Sequence, residues 1–436
     1  MRTTARAAAL VATGALALTA CGGSDSTSAE SSSGGSASAS VDPADVSGEL
    51  TWWDTSDSKN EAPAYKKLIE DFNEEYPNVT IDYQSVPFGD AQNKFKTAAQ
   101  AGSGAPDILR AEVAWVPEFA SLGYLYELDG TPLTEDTDDY LPAPVGSTSF
   151  DGKTYGVPQV TDSLALMYNK ELLKEAGINE PPTTWDEMKT AAKTIADKTG
   201  KDGVYLNPAG YYMLPFIYGE GGDLIDADGK KITVNSPEAV AGVEKAQELL
   251  ASDGFTKPPS TDAYTAMMKD FTSGEVAMII QGPWEVKNIS DAKGFGGADN
   301  LGIAPVPAGS ERAGAPVGGH DYVVWSGMDE EKAEAAIAFI RFMSSAETQV
   351  KLADELGVLP TRTSAYDQVQ NPVVGEFKPV MEAAVERAWI PEGGKLFPPL
   401  DEAATKLMVQ DADAQGTLDD VAKTYKSEAV KDYATE

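Results

Sequence analysis

The chain is poor in the side chains that carry most covalent and metal chemistry. Its 436 residues contain one cysteine, Cys21, and one histidine, His320. Disulfides are excluded, so packing must hold the fold. A zinc site of the usual Cys/His kind lacks its ligands. A lone histidine, with no Gly-x-Ser-x-Gly turn anywhere, argues against a Ser-His-Asp hydrolase. Positive charge is also scarce: 34 Lys and Arg face 69 Asp and Glu, for a formal net charge of −35. So acidic a surface repels phosphate backbones and anionic lipid, which argues against nucleic-acid binding and against electrostatic adhesion to membranes. After the N-terminal region no segment approaches 18 consecutive apolar residues, so no transmembrane helix is expected. Two motif fragments are incomplete. Gly152-Lys153-Thr154 has Ser147 where a phosphate loop needs its first glycine. Asp226-Ala227-Asp228-Gly229 has Pro237 where a calcium loop closes with Glu, and reads as a hairpin turn. No metal and no cofactor are expected.

What is present begins at the N-terminus. Arg2 and Arg6 precede an Ala/Leu/Val-rich run from Ala7 to Leu18, and small residues lead into Cys21. This is the three-part layout of an export signal, with an apolar run too short to span a bilayer. Leu18-Thr19-Ala20-Cys21 resembles the lipobox of bacterial lipoproteins. That resemblance implies a lipid on Cys21 as the first mature residue. The alternative is a secreted protein with one stray thiol, a liability that an anchor would turn to use. Cleavage after residue 20 removes Arg2 and Arg6 and takes the net charge from −35 to −37. Residues 1–20 are therefore expected to be a signal peptide. Residues 21–45 are expected to be the lipidated cysteine and a Ser/Ala/Gly-rich tether, holding the protein on the outer face of the cell membrane.

The remainder is long enough for two domains with separate cores. Glu49–Trp53 reads as a strand. Tyr65, Leu68, Ile69 and Phe72 follow at helical spacing, and Tyr76-Pro77-Asn78 stops the helix. A strand at Val79–Tyr83, a helix from Asp90 to Gln100 and a strand at Asp107–Leu109 complete a pattern that predicts a parallel sheet faced by helices. Later segments repeat the style. Strands are expected at Ala165–Tyr168, Glu275–Ile280 and Tyr322–Trp325. Helices are expected at Lys170–Ala176, from Thr184 as N-cap to about Lys198, at Pro237–Ala251, at Glu330–Ser344 and over most of Leu400–Tyr433.

Several stretches in order resemble the maltose-binding-protein group of ABC-importer sugar-binding components. They are Leu68–Pro77, Ala105–Ile108, Glu118–Leu125, Asp151–Pro158, Asp162–Lys170 and Ala277–Trp284. The resemblance covers nearly everything from Glu49 onward. It implies an α/β, two-lobed periplasmic-binding-protein fold with a cleft between lobes, one formed by residues 46–157 plus 311–358 and the other by 158–310 plus 359–436. It further implies an oligosaccharide ligand, of maltose or malto-oligosaccharide type with a β-linked one as the alternative, caught by hinge closure. A monomeric protein would hand it to a membrane permease driven by a separate ATPase. Catalysis is not expected.

A sugar offers hydroxyls and apolar C–H faces, so its site needs flat aromatic platforms and paired donors and acceptors. Trp284 follows Gly282-Pro283 at a strand end and matches a stacking platform of the family. Tyr211 matches a ring-stacking tyrosine and Asp162 a ligand-binding carboxylate, while Tyr212 reads as packing. Asp57 and Lys59 fall near the family's polar contacts, and Trp53 beside them reads as core. The segment with Glu112 and Trp115 departs from the family's maltose pattern, which places an aromatic and an Asp-Arg pair there. Trp115 is a candidate replacement for that aromatic. His320 and Asp321 follow Gly318-Gly319 at a lobe junction, where glycine permits close backbone approach. Trp389, before Pro391, is either a platform or a loop anchor. Two other functions fit the composition. A lipid-anchored glycoside hydrolase needs only two suitably placed carboxylates, and a surface scaffold would bind no small ligand.

Overall fold

The computed structural model describes residues 42–435. The expected signal peptide, Cys21 and the tether up to residue 41 lie outside them. The expected last residues of the tether are already folded. Asp45 N bonds to Asp42 O at 2.8 Å, Asn78 Nδ2 donates to Ala44 O at 2.8 Å, and Val46 is buried in the first core.

Two five-stranded sheets organise these residues. The first runs in the order Val79–Ser85, Gly48–Asp54, Ile108–Glu112, Gly318–Val324, Gly156–Asp162. Its first three strands are parallel, joined by helices Ala62–Glu75 and Phe88–Ala101, as the strand-helix alternation predicts. Gly318–Val324 is antiparallel to both of its neighbours. The core under this sheet is built on Trp52, which meets Tyr65, Tyr83, Tyr322 and Phe339 edge-on at 5.3–6.0 Å between ring centres. Burying side chains of this size contributes about 1.5–3 kcal/mol each, and edge-on contact suits the ring quadrupoles.

The second sheet runs in the order Phe255–Thr256, Asp202–Tyr205, Val276–Gln281, Ala165–Asn169, Leu301–Pro305. Val276–Gln281 is buried at every residue, which fits an unbroken apolar run in a sheet covered on both faces. Its core stacks Trp185 on Phe216 at 4.3 Å and takes in Leu400 and Leu418 from the C-terminal helices Phe397–Gln410 and Ala414–Thr424. The helix Trp185–Thr199 begins where its cap predicts: Thr184 Oγ1 accepts from Glu187 N at 3.2 Å. Glu187 Oε2 reaches back to Thr183 N at 2.8 Å rather than to Thr184.

Each sheet with its core is one lobe. The chain passes from the first sheet to the second between Asp162 and Ala165 and returns between Pro305 and Gly318. The expected limit at residue 157 falls inside the strand Gly156–Asp162, all of which pairs in the first sheet or is buried beside it. A further bridge links Thr161 to Leu359 where the chain crosses again.

Candidate functional site

The strand ends of the two sheets face each other. In the first sheet the parallel strands finish at Asp54 and Glu112. The antiparallel strand enters at the same edge, with His320 opposite Glu112 and Gly318 opposite Asp162. In the second sheet Val276–Gln281 runs out into Gly282 and the turn Pro283–Glu285, which carries Trp284. The helix Gly210–Gly219 brings Tyr211. Ligands of open α/β sheets bind at such carboxyl ends.

Polar contacts join the lobes at this edge. Tyr211 Oη lies 3.4 Å from Asp162 Oδ1 and 3.3 Å from Pro316 O. A β-carbon at Gly318 would lie 2.2 Å from Asp162 Oδ1 and 2.6 Å from Tyr211 Oη, so this contact requires glycine there. Nearby, Arg387 Nη2 donates to Glu112 Oε1, and Glu112 Oε2 accepts from Ala114 N at 3.0 Å. Both charged side chains are largely buried, 8% and 15% exposed. The Arg387 guanidinium also lies 5.3 Å from the ring centre of Trp389 and 5.5 Å from that of Phe397, a cation–π arrangement.

Aromatic faces flank this polar centre. On the second lobe, Trp284 Nε1 donates to Tyr264 Oη at 3.0 Å. Tyr264 donates to Glu285 Oε1 at 2.5 Å, and Glu285 Oε2 accepts from Asn288 at 2.7 Å. The chain of bonds fixes the indole and satisfies its one polar atom, which leaves its faces for apolar contact. On the first lobe, buried Trp115 stacks on Phe88 at 5.1 Å, and Phe88 meets His320 edge-on at 6.0 Å.

Burial sets the protonation of the centre. It pushes the Asp162 carboxyl up to about 7 against the pull of Arg387. It also raises Glu285, with Asp57 across the gap adding to the effect. His320 is held well below its usual range by burial first, then by the guanidinium groups of Arg110 and Arg387. Behind the edge, Arg110 Nε donates to Gln159 Oε1 at 2.7 Å and stands 3.9 Å from Asp54 Oδ1. The result is a set of fixed donors and acceptors between aromatic faces, which suits a polyhydroxylated ring.

Of the residues singled out in the sequence, Glu112, Asp162, Tyr211 and His320 converge, and Trp115, Trp284 and Trp389 flank them. Asp57 and Lys59 sit on an exposed loop, where Asp57 Oδ1 accepts from the backbone N of Lys59 and Asn60. Asp321 departs from its expected place. It is wholly buried, bonded to Ser147 Oγ at 3.0 Å and packed against Gly156, because adjacent strand residues point to opposite faces. Trp53 is core, its Nε1 bonded to Gln84 at 3.1 Å. Tyr212 packs, with its hydroxyl on Gln281 at 2.9 Å. Sequence reasoning missed Arg387, Phe88, Tyr264, Glu285 and Arg110. Only Arg110 left a signal, as a charge inside an apolar strand.

Comparison with known proteins agrees with this geometry. The sequence pattern of the family described as bacterial extracellular solute-binding protein matches residues 67–376. The maltotriose-binding protein of Pyrococcus abyssi is 25% identical over 394 residues, which is 88% of this chain and 82% of that protein. The maltooligosaccharide ABC transporter solute-binding lipoprotein of Streptococcus pneumoniae strain R6 is 28% identical over 362 residues, 76% of this chain and 81% of that one. The GacH receptor of Streptomyces glaucescens, solved unliganded and with acarbose and an acarbose homolog, matches at 43% identity and a TM-score of 0.85, covering 89% of this chain and 100% of that one. With more than half its length matched by the family pattern, the chain belongs to the bacterial extracellular solute-binding proteins.

Proposed function

We propose that the chain is the capture component of an ABC sugar importer, binding a malto-oligosaccharide between its lobes. The observation that carries this is the meeting of Asp162 with Tyr211, and of Glu112 with Arg387, between the platforms Trp115, Trp284 and Trp389. The lobes take residues 46–162 plus roughly 318–358, and the rest of the folded chain. A buried carboxyl, a tyrosine hydroxyl and a guanidinium read the hydroxyls, because each group left unpaired would cost about 1–3 kcal/mol. The named relatives bind maltotriose, malto-oligosaccharides and acarbose, which supports the α-linked class. A lipid on Cys21 would hold the monomer beside a permease and a separate ATPase. The chain itself performs no catalysis.

The test is intrinsic tryptophan fluorescence of the purified protein titrated with maltose, maltotriose, acarbose, cellobiose, xylobiose and trehalose. Maltotriose or acarbose should change the signal saturably. Trp284→Ala should weaken that binding at least about tenfold, which is 1.4 kcal/mol. No response to any of the six sugars, or hydrolysis of any of them, overturns the reading.

A further inference from the structure

We infer that the Gly393-Gly394 turn of the second lobe is a latch that seats on Gln92 of the first lobe, with Glu118 and Lys96 as the positioning residues that hold Gln92 for it. The latch governs how long a captured sugar stays, so the inference rests on the sugar-capture reading above.

The second-lobe half is a stiff turn. Gly393 N donates to Ile390 O at 2.9 Å, Lys395 N to Glu392 O at 2.9 Å and Leu396 N to Gly393 O at 3.2 Å. Leu396 O then accepts from the buried Tyr425 hydroxyl at 2.7 Å, and both residues belong to the second core.

The first-lobe half is a chain of side chains. Gln92 and Lys96 lie four residues apart on the helix Phe88–Ala101 and share a face of it. Both reach Glu118 on the helix Trp115–Ser121. Gln92 Nε2 donates to Oε2 at 2.7 Å, and Lys96 Nζ to Oε1 at 3.1 Å. Glu118 is only 3% exposed. Pulling Gln92 away would leave a buried carboxylate oxygen without that partner, which is costly. The amide of an otherwise flexible side chain is therefore held in one place.

The two halves meet at Gly394. A β-carbon there would lie 2.5 Å from Gln92 Nε2 and 3.5 Å from Trp115 Cδ1. The φ of Gly394 is not positive, so its backbone does not call for glycine. The tethered amide does. A β-carbon on Gly393 would make only ordinary contact, 3.8 Å from Ala114 Cβ. The lobes thus touch through a position that admits no side chain. A contact that must part before a cleft opens slows the release of what the cleft holds.

The test is a double-mutant cycle read by fluorescence titration with maltotriose. Gly394→Ala should weaken binding at least about fivefold, because the methyl meets the amide and forces the lobes apart. Stopped-flow measurement should place that loss in faster release. The same substitution should cost less than about twofold on a Gln92→Ala background, as coupled positions require. It should also do so on a Glu118→Met background, where the side chain is similar in size but accepts no hydrogen bond from Gln92. Each lobe has its own core, so the melting temperature of the sugar-free protein should not follow the affinity. The latch is overturned if Gly394→Ala binds and releases maltotriose as the wild type does. An undiminished loss on either altered background overturns it too, since the methyl would then be meeting something other than a tethered amide. So does a sugar-free melting temperature that falls in step with affinity, which would make Gly394 a structural glycine. In all three cases the wild type still binds and sugar capture stands. A wild type that binds no sugar of the panel removes both readings.

Discussion

Asp321 lies next in sequence to a site residue, yet it faces the interior. Its Oδ1 has no hydrogen-bond partner among the described residues, and Oδ2 meets only the Ser147 hydroxyl. Burial pushes this carboxyl up to about 8, with Ser147 pulling it down and Glu112 adding to the rise. The folded state therefore holds a proton that the unfolded chain releases near its ordinary value of 3.8. The sign follows from linkage. The stabilisation is complete below the unfolded value and is lost as pH climbs toward and past about 8. Asp162 and Glu61, each raised to about 7 by burial, act in the same direction. Asp321→Asn, which cannot ionise, should flatten the decline. Urea unfolding at pH 5 and pH 8.5 should show the variant gaining at least about 1 kcal/mol on the wild type at the higher pH. Parallel pH curves for the two proteins would mean that Asp321 is already ionised in the fold.

The strand Gly318–Val324 shows what an element adds to its residues. It pairs with Ile108–Glu112 on one side and Gly156–Asp162 on the other, and its register shifts between His320 and Asp321. Gly318 lets the strand pass beside Asp162 and Tyr211. No positive φ occurs there, so alanine meets only a steric objection. Gly318→Ala should force those two side chains apart. Overpacking of this kind costs about 1–3 kcal/mol, and sugar affinity should fall with the melting temperature. A variant that binds maltotriose as tightly as the wild type would show that the Asp162–Tyr211 contact does not shape the site. The same strand marks where sequence reading stopped. Tyr322, Val323 and Val324 announce a strand by their composition, whereas Gly318-Gly319-His320 carries no strand signal and is drawn in by its two neighbours. The helices were legible because their periodicity and caps are local, as at Tyr65–Phe72 and Thr184. Asp162 and Trp284 are brought forward by stretches that resemble a family, and Tyr211 by its match to one of that family's tyrosines. Arg387 was not, because its partner Glu112 is 275 positions away, and Phe88 was not, because a residue at a helix start says nothing about the ring it will stack on.

At the scale of the whole molecule, charge and anchoring have to be read together. With 69 acidic against 34 basic residues, the protein is repelled by an anionic membrane at any distance within about 8 Å, the screening length at physiological salt. On the proposed reading, charge does not hold the protein at the cell surface, and a lipid on Cys21 would supply the attachment. The described residues begin at Asp42, whose turn is bonded through Ala44 to Asn78, and about twenty residues stand between Cys21 and that turn in the sequence. On that reading an attachment at Cys21 would act apart from the sugar site. Cys21→Ser should release the protein from the membrane fraction into the medium, lower sugar uptake by intact cells, and leave the fluorescence titration of the released protein unchanged. Immunoblots of medium and membranes, run beside the titration, read all three outcomes. A Cys21→Ser protein that stays with the membranes would show that something other than this cysteine holds it there, and a weakened titration would show that the N-terminal segment reaches the site.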